Sequence, residues 1–271
     1  VSRPATFTTS DGVRLAYAVD DCTDPWTTPP VVVLLHAAMS NLRRFYAWVP
    51  LLLRDFRVVR LDARGHGDSQ TPGPDTPLTI DRLTRDTVEL LDHLGIERAH
   101  VSGSSAGGYV AQWLAITQPR RVAKLALFST TPGLAHADPG ARVDTWPATV
   151  RARGVDGLLA ETVAARVDPA RVDAGFVRWM VAEAGRMDRA FTARFLEAMA
   201  GLDLAARVHE IAAPTLVVVA GGDTVCGRAG TEALRRIPDH RWVVYEGLPH
   251  NITNGVPERC ASDLRRFLLD G

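Results

Sequence analysis

Short apolar runs alternate with longer amphipathic stretches along most of this chain. Phe7–Thr9 and Arg14–Val19 flank the turn dipeptide Asp11-Gly12 and predict an opening β-hairpin at a sheet edge. Val31–Leu35 is apolar throughout and follows Pro29-Pro30, as expected of a strand covered on both faces. Arg57–Leu61, His100–Ser102, Lys124–Phe128, Thr215–Val219 and Trp242–Tyr245 read as further strands. Ile80, Leu83, Thr87, Leu90, Leu91 and Leu94 recur near helical spacing, and that pattern stops at Gly95. Ala106–Gln118, ended by Pro119, and Pro257–Leu269 predict two more helices. Strand, helix and strand in succession imply a parallel sheet with crossover helices, an α/β fold.

The rhythm breaks between Phe128 and Thr215, where 132–207 is rich in alanine, arginine and helical periodicity. The pattern predicts a core of residues 1–131 and 208–271 carrying a helical lid inserted at 132–207. Trp146, Phe176, Trp179, Met180, Phe195 and Met199 are its larger apolar members; they either hold small helices together or face down over a site.

With 271 residues, 46% hydrophobic and 23% charged, the chain is long enough for a sizeable core and far from the composition of a disordered segment. Thirty-one basic residues balance 31 acidic ones, so no global field attracts nucleic acid or an anionic membrane. Lys124 is the only lysine, and the arginine excess reads first as compositional bias. Cys22, Cys226 and Cys260 are widely spaced with no C-x-x-C, which offers neither a zinc site nor a bridge network and fits a reducing compartment. Val1–Asp11 has no apolar leader pattern, and no run approaches the ~18 apolar residues of a membrane span, so the expectation is a soluble, cytoplasmic protein.

The sharpest chemical signal is Gly103-Ser104-Ser105-Ala106-Gly107, which meets G-x-S-x-G in one register with Ser105 at the centre. A strand-to-helix turn of this kind forces the central residue into strained dihedrals, while the two glycines let strand and helix approach closely. The Ser105 hydroxyl is then lifted clear of the sheet. The Ala106 N–H, at the start of the following helix, is placed to stabilise an oxyanion.

This segment and its context resemble the α/β-hydrolase family over almost the whole chain. Leu34-Leu35-His36-Ala37-Ala38 stands where that family has a strand followed by His-Gly-x, and the resemblance makes the Ala38 N–H the second oxyanion donor, with Ala37 in place of glycine. Asp62-Ala63-Arg64-Gly65-His66-Gly67-Asp68-Ser69 resembles the family's D-x-R-G-H-G-x-S loop, which implies a structural role. A serine nucleophile needs a base, and the base a group that fixes its tautomer. Gly247-Leu248-Pro249-His250 matches the family's histidine loop, and Ala220-Gly221-Gly222-Asp223 stands where the family has G-x-x-D. The resemblance thus implies catalytic Ser105, Asp223 and His250, an acyl-enzyme, and neither a metal nor an organic cofactor.

Asp62–Gly67, Leu78–Leu83 and Leu90–Ile96 resemble in particular the 3-oxoadipate enol-lactonase and carboxylesterase branch. That branch implies a small ester or lactone substrate. An anionic one would be held by arginines near the site or in the lid, for which Arg43, Arg153 and Arg178 are candidates beside the lid tryptophans Trp146 and Trp179. A carboxylesterase or lactonase for a larger substrate, a carbon–carbon bond hydrolase and a non-catalytic ligand-binding relative remain alternatives, as do monomer and homodimer.

Overall fold

The computed structural model describes residues 2–270; Val1 and Gly271, at the outer ends of the two predicted core segments, lie outside it. Strands β1 (Ala5–Thr8), β2 (Arg14–Asp20), β3 (Val31–Leu35), β4 (Arg57–Leu61), β5 (Ala99–Ser104), β6 (Val122–Phe128), β7 (Thr215–Ala220) and β8 (His240–Tyr245) form one sheet in the order β1-β2-β4-β3-β5-β6-β7-β8. β1 and β2 are the predicted hairpin; β2 runs antiparallel to β4, and every later pairing is parallel. Each parallel neighbour needs a crossover, and these supply the helical layers on both faces.

The helices follow in chain order: α1 (Val49–Leu52), α2 (Ile80–His93), α3 (Ala106–Thr117), α4 (Trp146–Glu161), α5 (Val163–Arg166), α6 (Ala174–Gly185), α7 (Arg189–Ala200), α8 (Arg228–Thr231), α9 (Ile252–Gly255) and α10 (Pro257–Leu269). Thr79 caps α2 by accepting from the Arg82 N–H, and Gly95 ends it with a φ of 65°. On one face of the sheet Leu15, Val33, Val101 and Val217 pack with Leu90, Leu91 and Leu114. On the other, Val32, Leu34, Ala126 and Val218 pack with Trp48, Phe56, Leu264 and Phe267. Alternate residues of a strand face opposite sides, so β3 and β7, buried on both, show no polar alternation in sequence.

α4 to α7 all lie between β6 and β7, and α4 packs on both α6 and α7. Their joint core holds Trp146, Val150, Val155, Leu158, Leu159, Met187 and Leu196, and it meets the body of the protein at Met39 and Val225. Phe191, Phe195 and Met199 of α7 form a second seam against Leu78 and Leu83. No helix among the described residues is long and apolar enough to cross a membrane.

Candidate active site

Ser105 sits between the end of β5 and the first residue of α3, with φ 50° and ψ −118°. A non-glycine residue there is strained, and the surrounding contacts impose it. The Ser105 N–H donates to the Phe128 carbonyl at 3.0 Å, and the Ser105 carbonyl accepts from Thr130 Oγ1 at 2.8 Å. A Cβ on Gly103 would stand 2.4 Å from the Gly107 carbonyl oxygen, and one on Gly107 would stand 2.3 Å from that of Leu35. The G-x-S-x-G spacing is thus a packing requirement: only glycine lets α3 descend onto β3 and β5 here.

The strand ends β7 and β8 bring the other two residues to the serine. His250 Nε2 lies 3.0 Å from Ser105 Oγ, and its Nδ1 lies 2.8 Å from Asp223 Oδ2. The second carboxylate oxygen, Oδ1, accepts the N–H groups of Val225 at 2.7 Å and Cys226 at 2.9 Å. Burial pushes the Asp223 carboxyl up, but the charge and hydrogen bond of His250, with the two amides, outweigh it and leave its pKa below the ordinary value. An ionised Asp223 accepts only, so the neutral tautomer of His250 that it selects has its proton on Nδ1 and Nε2 facing the serine as acceptor.

The backbone donors follow from the same local chemistry. His36 Nε2 accepts the Ala63 N–H at 3.0 Å, which puts the ring proton on Nδ1, where it donates to the Ala37 carbonyl at 2.7 Å. Burial first, and then the neighbouring His66, pull the His36 pKa down to about 3, so the ring is neutral. In a trans peptide C=O and N–H point opposite ways, so anchoring the Ala37 carbonyl aims the Ala38 N–H away from His36. Ala38 and Ala106 line one cavity with Ser105 and His250. Among the described residues neither N–H has a protein acceptor, the Ala106 N–H being one of the orphans at a helix start.

The Asp62–Ser69 loop braces this site from below. Asp62 accepts the Leu42 and Asp68 N–H groups at 2.6 and 2.9 Å, and Ser69 Oγ donates to the Asp62 carbonyl at 2.6 Å. Fully buried Arg64 pairs with Asp86 at 2.6 Å and Asp11 at 2.9 Å. His66 packs against His36 at 5.2 Å and against Phe195 of α7 at 5.2 Å, linking the loop to the helices above.

Those helices form the upper wall. Trp146, Phe195, Leu196 and Met199 line the cavity, whereas Met180 lines an adjoining one that shares Ala37, Ala38, Met39 and Arg166 with it. The structure does not bring Arg43, Arg153, Arg178 or Trp179 to Ser105. Arg43 is half exposed and pairs with Asp68 and Glu183. Arg153 is exposed and pairs with Glu161, and Arg178 is exposed on α6. Trp179 meets Tyr46 edge to face and Phe176 at a tilt along an outer groove. Water solvates these guanidinium groups, so nothing drives them inward.

Two other arginines, Arg44 and Arg166, occupy the interior. Arg166 lines both cavities, with its guanidinium 5.1 Å from the Trp146 ring centre. Burial pulls both arginines down to about 10, and each stays cationic at neutral pH. As for a metal, donor atoms of Asp223, Cys226 and His250 lie within 4.8 Å of one another. Asp223 and His250 are, however, committed to each other, and the Cys226 thiol donates to the Ser129 carbonyl at 3.4 Å. The set is satisfied without an ion.

Comparison with known proteins agrees with this architecture. The family described as "alpha/beta hydrolase fold" matches residues 30–253. The chain is 29% identical to 3-oxoadipate enol-lactonase 2 of Acinetobacter baylyi over 80% of its own length and 79% of the relative's. A hydrolase from Pseudomonas aeruginosa superposes with a TM-score of 0.86 at 32% identity, covering 99% of each chain. The enol-lactonase of Burkholderia xenovorans superposes with a TM-score of 0.89 at 25% identity, covering 98% of this chain and all of that one. A strained serine at the β5–α3 turn, the topology around it and matches that run nearly end to end converge on one conclusion: the chain belongs to the α/β-hydrolase fold family.

Proposed function

We propose that this protein is a serine hydrolase that cleaves a small ester or lactone through an acyl-enzyme on Ser105. The observation that carries this reading is the continuous hydrogen-bonded line from Ser105 Oγ through His250 to Asp223, opening on a cavity that also holds two unpaired backbone N–H groups. As Ser105 Oγ attacks the carbonyl carbon, His250 Nε2 takes its proton and Asp223 stabilises the resulting imidazolium. The Ala38 and Ala106 N–H groups hold the oxyanion. Collapse expels the alkoxide, which takes the proton from Nε2; in a lactone that alkoxide stays tethered to the acyl chain. Water, deprotonated by the same nitrogen, then releases the acid and restores the serine. The enol-lactonase relatives support a lactone as readily as an open ester. A pre-steady-state burst of p-nitrophenol from p-nitrophenyl butyrate, with the butyryl mass on Ser105 in quenched samples, tests the reading. Turnover that never places an acyl group on Ser105 contradicts it.

A further inference from the structure

Arg44 and Arg166 are buried cations that line the cavities beside Ser105 and take no part in the hydrolytic scheme. Both are more than nine-tenths buried, and among the described residues neither has a carboxylate within 4.0 Å. Of the five N–H donors of Arg166, the Nε one reaches Thr162 Oγ1 at 2.9 Å, and Nη2 is fully buried with no partner at all. Arg44 directs Nε and Nη2 at one neutral oxygen, Asn254 Oδ1, at 3.1 and 2.6 Å. Both line one cavity together with Ala37, Ala38, Ser104, Asn251 and Thr253, and the charge of Arg166 reaches Arg44 there. Asn251 adds another underused donor, since its Nδ2 finds only the Met180 thioether at 3.7 Å. The Asp223 carboxylate, whose charge reaches Arg166, has its oxygens occupied by His250, Val225 and Cys226.

A buried arginine without an anionic partner costs several kcal/mol in a protein that gains nothing from it. A second such cation whose charge reaches the first adds to that cost, because the two repel. A bound anion offsets that cost, and a planar guanidinium with free N–H groups fits a carboxylate fork to fork. The backbone also fastens this place to the reaction centre: the His250 N–H donates to the Ala165 carbonyl at 3.2 Å, and the Asn251 N–H to the Arg166 carbonyl at 2.7 Å. An anion held at Arg166 is therefore registered against the histidine.

We propose that Arg166 and Arg44 form a carboxylate-binding subsite beside Ala38, so that the preferred substrate is an ester or lactone whose acyl chain carries a second, ionised carboxyl group. Arg166, from the inserted helices, and Arg44, from the body of the protein, grip that group together. This inference rests on the hydrolase reading for its catalytic consequence but not for its binding consequence, and the experiment separates the two.

Monomethyl succinate, glutarate and adipate are compared with methyl butanoate, pentanoate and hexanoate by pH-stat, so that each pair differs by one terminal carboxylate. The wild type is expected to favour at least one anionic ester by about 10- to 100-fold in kcat/KM, the range of a charged hydrogen-bonded contact. Arg166→Gln is expected to bring that ratio to near one or below, with Arg166→Lys intermediate, because charge survives there without the fork. In parallel, glutarate is titrated against Ser105→Ala and followed by tryptophan fluorescence, which reports on Arg166 through Trp146. A saturable signal absent for glutaramide, absent in Arg166→Gln and lost on Trp146→Phe is expected. Should Arg166→Gln fail to fold, Arg44→Gln and the wild-type ratios decide. Ratios near one for all three pairs, alongside Ser105-dependent hydrolysis of the neutral esters, overturn the subsite and leave the hydrolase reading intact. Saturable, Arg166-dependent glutarate binding in a protein that hydrolyses no ester does the reverse. Glutarate binding matched by chloride or phosphate, and unchanged in Arg166→Gln, also overturns the subsite.

Discussion

Replacing Asp223 by asparagine changes one atom, yet the surroundings determine its consequence. Oδ1 accepts two backbone N–H groups, at 2.7 and 2.9 Å, while Oδ2 faces His250 Nδ1 at 2.8 Å. The asparagine oxygen must stay with the Val225 and Cys226 amides, because the reverse orientation sets an NH2 against two buried donors at about 1–3 kcal/mol for each. Its NH2 then points at His250 Nδ1, which can only accept. The ring proton moves to Nε2 and faces Ser105 Oγ, so no base is present where the serine proton must go. A wrong tautomer of this kind costs about 10⁴-fold in kcat, or about 5 kcal/mol of transition-state stabilisation. Steady-state hydrolysis of p-nitrophenyl butyrate by Asp223→Asn, with calorimetric melting as a control on the fold, measures it. A variant that melts with the wild type and loses less than tenfold in kcat refutes the tautomer argument.

Three further expectations follow from the same structure. His36→Phe frees the Ala37 carbonyl and with it the aim of the Ala38 N–H; kcat is expected to fall about 10- to 100-fold with KM little changed, and a KM effect alone would contradict the positioning role. Gly107→Ala drives a methyl group to 2.3 Å from the Leu35 oxygen, so calorimetry should show a loss of ~2 kcal/mol or more, whereas an unchanged melting temperature would mean the elbow yields. Asp11 is held down to about 2, first by its hydrogen bond to Arg64. Its depressed folded-state pKa makes the stability it contributes complete above its ordinary value near 3.8 and lost as pH falls from there toward 2. Asp11→Asn should flatten that limb of a urea-midpoint profile, and identical limbs in variant and wild type would count against the pairing.

Features that depend on local geometry were legible in the chain itself. A strand buried on both faces needs an unbroken apolar run, and the β5–α3 turn needs glycine two residues before and after its serine, so Val31–Leu35 and Gly103–Gly107 carry their meaning without the fold. Asp223 and His250 follow strands whose parallel order places their ends together. The arginines were not legible, for a physical reason. Arg43 and Arg44 are adjacent in sequence and chemically identical, yet the first pairs with surface acids and the second is buried beside Asn254. Which of the two turns inward depends on Leu42 and Phe45, buried on either side of them in a single short 3₁₀ turn. Arg166 closes a four-residue helix with no amphipathic period to read, and its environment comes from Thr162, Trp146 and the His250 loop, none of which the local pattern ties to it. Likewise, the role of His36 depends on accepting from Ala63, a partner on another strand end.

The most direct test of the central claim is covalent labelling of Ser105. Incubated with a fluorophosphonate probe, the wild type is expected to gain one adduct mass, mapped by peptide sequencing to Ser105, in step with loss of ester hydrolysis. Ser105→Ala, melting with the wild type, is expected neither to label nor to hydrolyse. Hydrolysis that survives in Ser105→Ala, or an adduct on Ser104 in place of Ser105, would contradict the account.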